Sequence, residues 1–429
     1  MIPEVCILAK PSVRLSYVCE WLFQEQFGLP FQIVSAETTS KPENHQVFTV
    51  SYQQYPTQPT DLTISPATLL YENGIPSQTL TDWNNFSDKA CDWFAALFFL
   101  LTAVPWYQTQ TKDSFQRIDE SNIPGLSVLK HPVADEIVLK FRKNIQAKFP
   151  DWKFPVPTVK TEWTFDFDSP WKYQHKPLWI QAGSLVKQFF RQDWSGISER
   201  FHTKDPFETD ELLSVFKESG KVKVFVLHGT GHPHDSRFPF TLPAWRKRIY
   251  KLAEYFPVGI HPSFLSADEP ERIWKEKQWL EEILERQVIA SRQHFLKLRF
   301  PDTLRTLLEC GIREDYSAAC YSMAGFKHGT SHSFYWFDLL KNEITPLRIF
   351  PGSWMDRTQL RILPTEKHFT LTDVFAKLQA QYKMIQTFGG TQRILLHNDT
   401  LSNSGEWKGW RDYLLAENYK RKSANGVPE

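Results

Sequence analysis

Residues Thr161–Tyr173 read TEWTFDFDSPWKY, an apolar, aromatic run that carries two carboxylates. Its β-branched and aromatic residues predict a strand, and the Ser-Pro pair after Asp168 ends it. Asp166 and Asp168 are separated by one residue, so in an extended chain they point the same way. Two like charges that close are costly unless a cation, a shared proton or strong hydrogen bonds compensate.

Working outward, this strand is the first of a series. Further strands are predicted at Val222–Leu227, Val258–Ile260, Ser291–Leu298, Gly311–Asp315, Leu347–Phe350 and Arg393–His397. Helices lie between them. Ser266-Ala-Asp-Glu269 has the spacing of a capping box, followed by Ile273, Leu280, Ile283 and Leu284 on one face. Another helix opens at Asp302, carries Leu304, Leu307 and Leu308, and closes at Gly311. Strands that alternate with helices predict a parallel sheet, open or closed into a barrel. Polar residues collect where these strands end: Asp166, Asp168, His228, His261, Asp315 and His397, with Arg292 and His294 on the fourth strand. In a β/α barrel such positions converge on one face, where active sites form.

The preceding residues differ in character. At 429 residues the chain is long enough for two domains. Short apolar strands (Cys6–Leu8, Phe31–Val34, Gln46–Val50) and Pro/Gln/Thr-rich connections precede helices at Asp92–Ala103 and near Val133–Phe149. Pro155 and Pro157 then mark a linker. We therefore expect a smaller α+β domain of unread role over 1–155, a β/α domain over 156–411 and a solvated tail over 412–429 that includes Lys420-Arg421-Lys422.

Charge and composition narrow the function classes. Lys plus Arg number 50 against 49 Asp plus Glu, so no global field favours nucleic acid. The five cysteines show no paired spacing and read as reduced thiols, and the N-terminus does not resemble a signal peptide, so a cytoplasmic location is expected. The longest apolar run, Trp93–Trp106, is shorter than the roughly 18 residues of a membrane span and reads as a buried helix.

In order, the strand ends resemble the polysaccharide deacetylase family with NodB homology (carbohydrate esterase family 4), in a divergent bacterial subgroup with an extra N-terminal domain. Thr164-Phe-Asp-Phe-Asp168 resembles its T-F-D-D-G motif with the carboxylates spaced by one. His261-Pro-Ser-Phe-Leu265 resembles H-(S/T)-x-x-H with Leu265 in place of the second His. Arg292 and Pro301, Asp315-Tyr-Ser317 and Leu395-Leu-His397 resemble the remaining motifs. The blocks Gly259–Phe264, Ser291–Leu296 and Gly325–Thr330, and Phe337-Asp-Leu339, carry the resemblance to the subgroup.

The resemblance implies a distorted (β/α)7-type barrel and a divalent metal, zinc first, with nickel, cobalt or manganese as alternatives. It implies Asp166 as base, with Arg292 beside it, and His397 as general acid. Asp168, His261 and, in place of the missing ligand, His294 would hold the metal. Asp235, Asp315, Lys327 and Trp171 are candidate substrate contacts. The expected activity is removal of an acetyl group from an amino sugar or related glycan precursor; the alternative is an inactive relative that binds a glycan or a protein. Glycosidic cleavage by Asp168 and Asp315 is a third reading. No membrane span or nucleic-acid partner is expected, and the oligomeric state is not legible.

Overall fold

The computed structural model describes residues 4–35, 47–56, 59–83, 91–229, 232–362 and 370–424. The chain forms two compact units. The first comprises Met1–Val159, Gly325–Pro351 and Met384–Gly390, and the second comprises the remainder. A boundary near residue 155 therefore misses two later segments that return to the first unit.

In the first unit, β1 (Glu4–Leu8), β2 (Phe31–Val34), β3 (Val47–Tyr52) and β4 (Leu62–Ile64) form a sheet in the order β2-β1-β3-β4. All its pairs are parallel. The apolar run lies in helix Trp93–Leu101, and every residue of it is buried. Asp92 caps this helix, accepting from the Ala95 N–H at 3.0 Å and the Tyr52 hydroxyl at 2.6 Å. No helix of the described residues is long and apolar enough to cross a membrane.

The expected strand near Leu347 belongs to the first unit. There β10 (Phe334–Asp338) and β11 (Glu343–Ile349) form an antiparallel hairpin. Tyr17 donates to the Tyr335 carbonyl at 2.8 Å, and the Phe98 and Phe337 rings meet at 5.0 Å. Aromatic contact and a satisfied backbone acceptor thus hold the hairpin in that core.

The second unit holds β5 (Val159–Phe167), β6 (Lys221–Leu227), β7 (Val258–His261), β8 (Ala290–Ser291), β9 (Glu314–Asp315), β12 (Trp354–Met355) and β13 (Gly390–His397). Their order is β9-β8-β7-β6-β5-β13-β12. Parallel pairing joins β5 to β6, β6 to β7, β7 to β8, β8 to β9 and β12 to β13. The Gly352 N–H reaches the Ala318 carbonyl at 3.0 Å, so the segment that follows β9 meets the segment that precedes β12. Leu296, Ala319, Met355 and Leu395 pack together from four strand ends. Gly259 is required by close approach: a Cβ there would stand 2.7 Å from the Phe225 ring and 2.8 Å from the Ala290 carbonyl.

Local expectations fail where tertiary contacts override them. The fourth strand ends at Ser291, because Phe295 (φ 59°) and Leu296 (φ 55°) turn the chain. The capping box does not form; Ser266 donates to Gln293 Oε1 at 3.2 Å, and the helix begins at Pro270. Residues 412–424 are not a tail, because helix Trp410–Ala424 buries Arg421, which donates to Glu417 at 3.0 Å and Gln392 at 2.6 Å. Residues 425–429 lie outside the described residues.

The buried pair of Arg393 Nε and Glu162 Oε2, at 2.7 Å, ties β13 to β5. Glu162→Ala is expected to destabilise the second unit by about 3–5 kcal/mol, because Arg393 loses that compensating carboxylate. The shift in its denaturant midpoint measures this.

Candidate metal and catalytic centre

The alternation of β5 assigns its side chains. Phe165 and Phe167 face apolar neighbours, with Phe165 against Phe216 at 5.5 Å and Phe167 stacked on Trp245 at 6.2 Å. Thr164 and Asp166 project to the other face, and Asp168 follows the last strand residue. His261 ends β7, and Arg292 follows β8. Parallel pairing in sequence order brings these ends together.

Arg292 is anchored from three directions. It donates from Nη1 to Asp166 Oδ1 at 2.8 Å, from Nη2 to Thr164 Oγ1 at 2.7 Å and from Nε to the Tyr316 carbonyl at 3.1 Å. Its guanidinium lies 4.5 Å above the Phe225 ring. Asp166 and Arg292 are both buried, so the pair is charge-assisted and poorly screened.

Three imidazoles surround Asp168. His261 Nε2 lies 3.2 Å from Asp168 Oδ1, while His294 Nε2 and His397 Nε2 each lie 3.6 Å from Oδ2. Their other nitrogens decide the tautomers. His261 Nδ1 is 2.6 Å from the Arg292 carbonyl, which can only accept, so the proton is on Nδ1. His294 Nδ1 meets Asp235 Oδ1 at 2.9 Å, and His397 Nδ1 meets Asp356 Oδ1 at 2.7 Å, with the same consequence. In the neutral rings, three Nε2 lone pairs therefore face one carboxylate.

Acceptors do not gather around an acceptor without a positive charge between them. Asp168 Oδ1 is buried and receives no hydrogen bond, because His261 Nε2 has no proton to give. Asp168, His261 and His294 each offer a ligand atom, and these atoms lie within 4.8 Å of one another. One carboxylate and two imidazoles, with second nitrogens held by a carbonyl and a carboxylate, fit a divalent cation. Without one, protons take its place. Burial opposes charge on His294, but Asp168 and Asp235 prevail and raise its pKa to about 9. His397 is likewise opposed by burial and raised to about 9 by Asp356 and Asp168. Burial would raise Asp168, yet the charges of His294 and His397 hold it well below the carboxylate range.

The remaining candidates have other surroundings. Asp235 accepts from His294 and from the Phe264 N–H at 2.9 Å, so it orients the imidazole and is not a free substrate contact. Asp315 accepts from the Ser317 N–H at 3.1 Å and from its hydroxyl at 2.7 Å, which places it in a turn. Trp171 is buried, donates to Glu208 at 2.9 Å and packs against Trp245, so it is core and not a sugar platform. Lys327 is buried in the first unit, 4.8 Å over the Trp106 ring. His228 accepts from the Phe240 N–H at 3.0 Å, and burial lowers its pKa to about 4. In the loop that follows it, residues 230 and 231 lie outside the described residues.

Sequence reasoning missed Asp356. It follows β12 and accepts from the His397 N–H at 2.7 Å and from the Thr400 hydroxyl. The available signal was a carboxylate directly after a short aromatic strand. Glu276 was also missed; it accepts from the Ser263 N–H at 2.8 Å and hydroxyl at 2.5 Å, two residues beyond His261.

Comparison with known proteins adds the following. Residues 5–150 match a family of unknown function (DUF7033). No curated protein matches the chain. Among solved structures it is similar to the polysaccharide deacetylase Bc1974 from Bacillus cereus, with 11% identity, 62% of this chain and 89% of that one covered, and a TM-score of 0.29. A PuuE allantoinase shares 11% identity over 64% of this chain and 87% of that one, with a TM-score of 0.39. A Mycobacterium smegmatis protein assigned as a polysaccharide deacetylase shares 15% identity over 62% and 86%, with a TM-score of 0.39. The functional reading rests on the site's own geometry.

The metal-free protein should show a two-sided stability profile. His294 and His397, raised from 6.5 to about 9, contribute stability fully below pH 6.5 and lose it as pH rises through 9. Asp168 and Asp356, both lowered from 3.8, contribute above that value and lose it as pH falls. The melting temperature of the chelated protein is therefore expected to be highest between pH 3.8 and 6.5 and to fall toward 9, with the fall reduced in His397→Asn. Separately, Asp235→Asn should weaken Zn²⁺ binding about 10–100-fold by loosening His294, as competition with a chromogenic chelator would measure.

Proposed function

We propose that the chain is a metal-dependent hydrolase of the polysaccharide-deacetylase type, which removes an acetyl group from an amino sugar or related glycan precursor. The observation that carries this reading is the convergence of three imidazole Nε2 atoms on Asp168, each with its Nδ1 proton committed elsewhere. In this reading the second-unit sheet is a distorted seven-stranded β/α barrel, with its functional groups at the C-terminal strand ends. Five cysteines without a disulfide among the described residues support a reducing, cytoplasmic setting.

Asp168, His261 and His294 would hold the cation, and this nitrogen-rich donor set favours zinc over magnesium or calcium. When bound, the cation supplies Lewis acidity toward an amide carbonyl and lowers the pKa of water. The chain's own groups handle the protons. Asp166 is fixed by Arg292 at Oδ1, while Oδ2 stands 3.8 Å from His261 Nε2, on the side where a water would be deprotonated. His397 presents Nε2 toward the same space and, as the imidazolium that Asp356 stabilises, delivers its proton to the departing amine. Asp235 and Asp356 thus do parallel work on different rings, one orienting a ligand and the other an acid.

Acetate release from a panel of N-acetylated sugars by zinc-loaded protein tests the assignment. Asp166→Asn should lower release roughly 10²–10⁴-fold while bound zinc, read by elemental analysis, stays at the wild-type level. Asp356→Asn should move the alkaline limb of the pH–rate profile downward, because His397 loses the charge that keeps it protonated. No acetate above the Asp166→Asn background from any substrate would leave a binding protein without this catalysis.

A further inference from the structure

Between β5 and β6, helix Leu178–Phe190 (LWIQAGSLVKQFF) has no buried residue. Leu178, Trp179, Val186, Phe189, Phe190 and nearby Trp194 are 54–82% exposed. An apolar helix normally buries one face against a core, so a contiguous exposed group of this size marks an interaction surface.

Charge decides what covers it. From Ser169 to Gln192 the sequence contains no Asp or Glu, whereas Lys172, Lys176, Lys187 and Arg191 are all basic. Lys172 is committed to Glu199, but Lys187 and Arg191 are exposed beside the aromatic residues. Arg237 adds a further exposed cation, 5.3 Å over the Trp179 ring. Asp193, just beyond, is occupied in capping the next helix through the Gly196 N–H at 2.9 Å. A second copy related by a two-fold axis would set these cations against themselves, with no carboxylate on the helix to pair them. Trp, Phe and Leu interleaved with Lys and Arg match the interface of an anionic bilayer, where rings enter the headgroup region and cations meet phosphate.

We propose that helix Leu178–Phe190 docks the protein on an anionic lipid surface. The helix begins ten residues after Asp168, on the connection that leaves the site-bearing end of β5. Taken with the deacetylase reading, on which this extension rests, the substrate is an amino sugar carried on a membrane lipid and not a free soluble sugar.

The test is flotation of the full-length protein with vesicles of phosphatidylcholine alone or mixed with phosphatidylglycerol. Binding is expected to the mixed vesicles, to weaken with added salt, and to fall roughly tenfold or more in W179S/F190S and in K187E/R191E. Both variants should retain wild-type zinc content, which separates lost docking from misfolding. Absence of binding to mixed vesicles overturns the proposal. So does a concentration-dependent dimer in light scattering that W179S/F190S converts to monomer, because a second copy would then cover the helix. Vesicle binding without acetate release from any amino sugar would leave the docking intact and remove only the deacetylase reading.

Discussion

The second unit is organised by one constraint: three imidazoles with their Nδ1 protons committed elsewhere must face a single carboxylate. The commitment is made by a carbonyl for His261 and by the carboxylates of Asp235 and Asp356 for His294 and His397. This arrangement cannot relax by rotating a proton from Nδ1 to Nε2, because each Nδ1 partner would then be stranded in a buried place. The site therefore stores a demand for positive charge, which a cation or added protons must meet. The pairing of β5, β7, β8 and β13 serves to place these groups within reach of one another.

Arg292 links this demand to the backbone. Its side chain orients Asp166 and Thr164 on β5, and its carbonyl fixes the tautomer of His261 on β7. Thr164 in turn donates to the Ile394 carbonyl on β13 at 2.9 Å. One residue thus coordinates three strands through both its side chain and its main chain, which explains why it is buried despite its charge.

Much of this was legible because chemistry-bearing residues stood at the ends of apolar runs. The period-two pattern of TEWTFDFD set Asp166 and Asp168 on one face, and in the structure Arg292 and His261 lie against Asp166 while His397 lies against Asp168. What was not legible depended on partners distant in sequence. Asp356 follows a two-residue strand too short to show a period, and Asp235 follows a Gly/Pro loop that carries no directional signal. Trp171 looked available because the sequence does not show that Glu208 and Trp245 enclose it. The Leu347 segment had a strand's composition, but composition does not say which unit takes it.

The interleaving of the two units has a consequence for synthesis. The chain passes between them at 159/160, 324/325, 351/352, 383/384 and 390/391. The first unit cannot be completed when its first 159 residues emerge, since the β10–β11 hairpin and residues 384–390 arrive only after most of the second unit has been made. Domains usually fold in turn as they leave the ribosome. Here the early unit must wait, with the aromatic surface around Tyr17 and Phe98 lacking its hairpin, so nascent chains halted before residue 351 should depend most on chaperones.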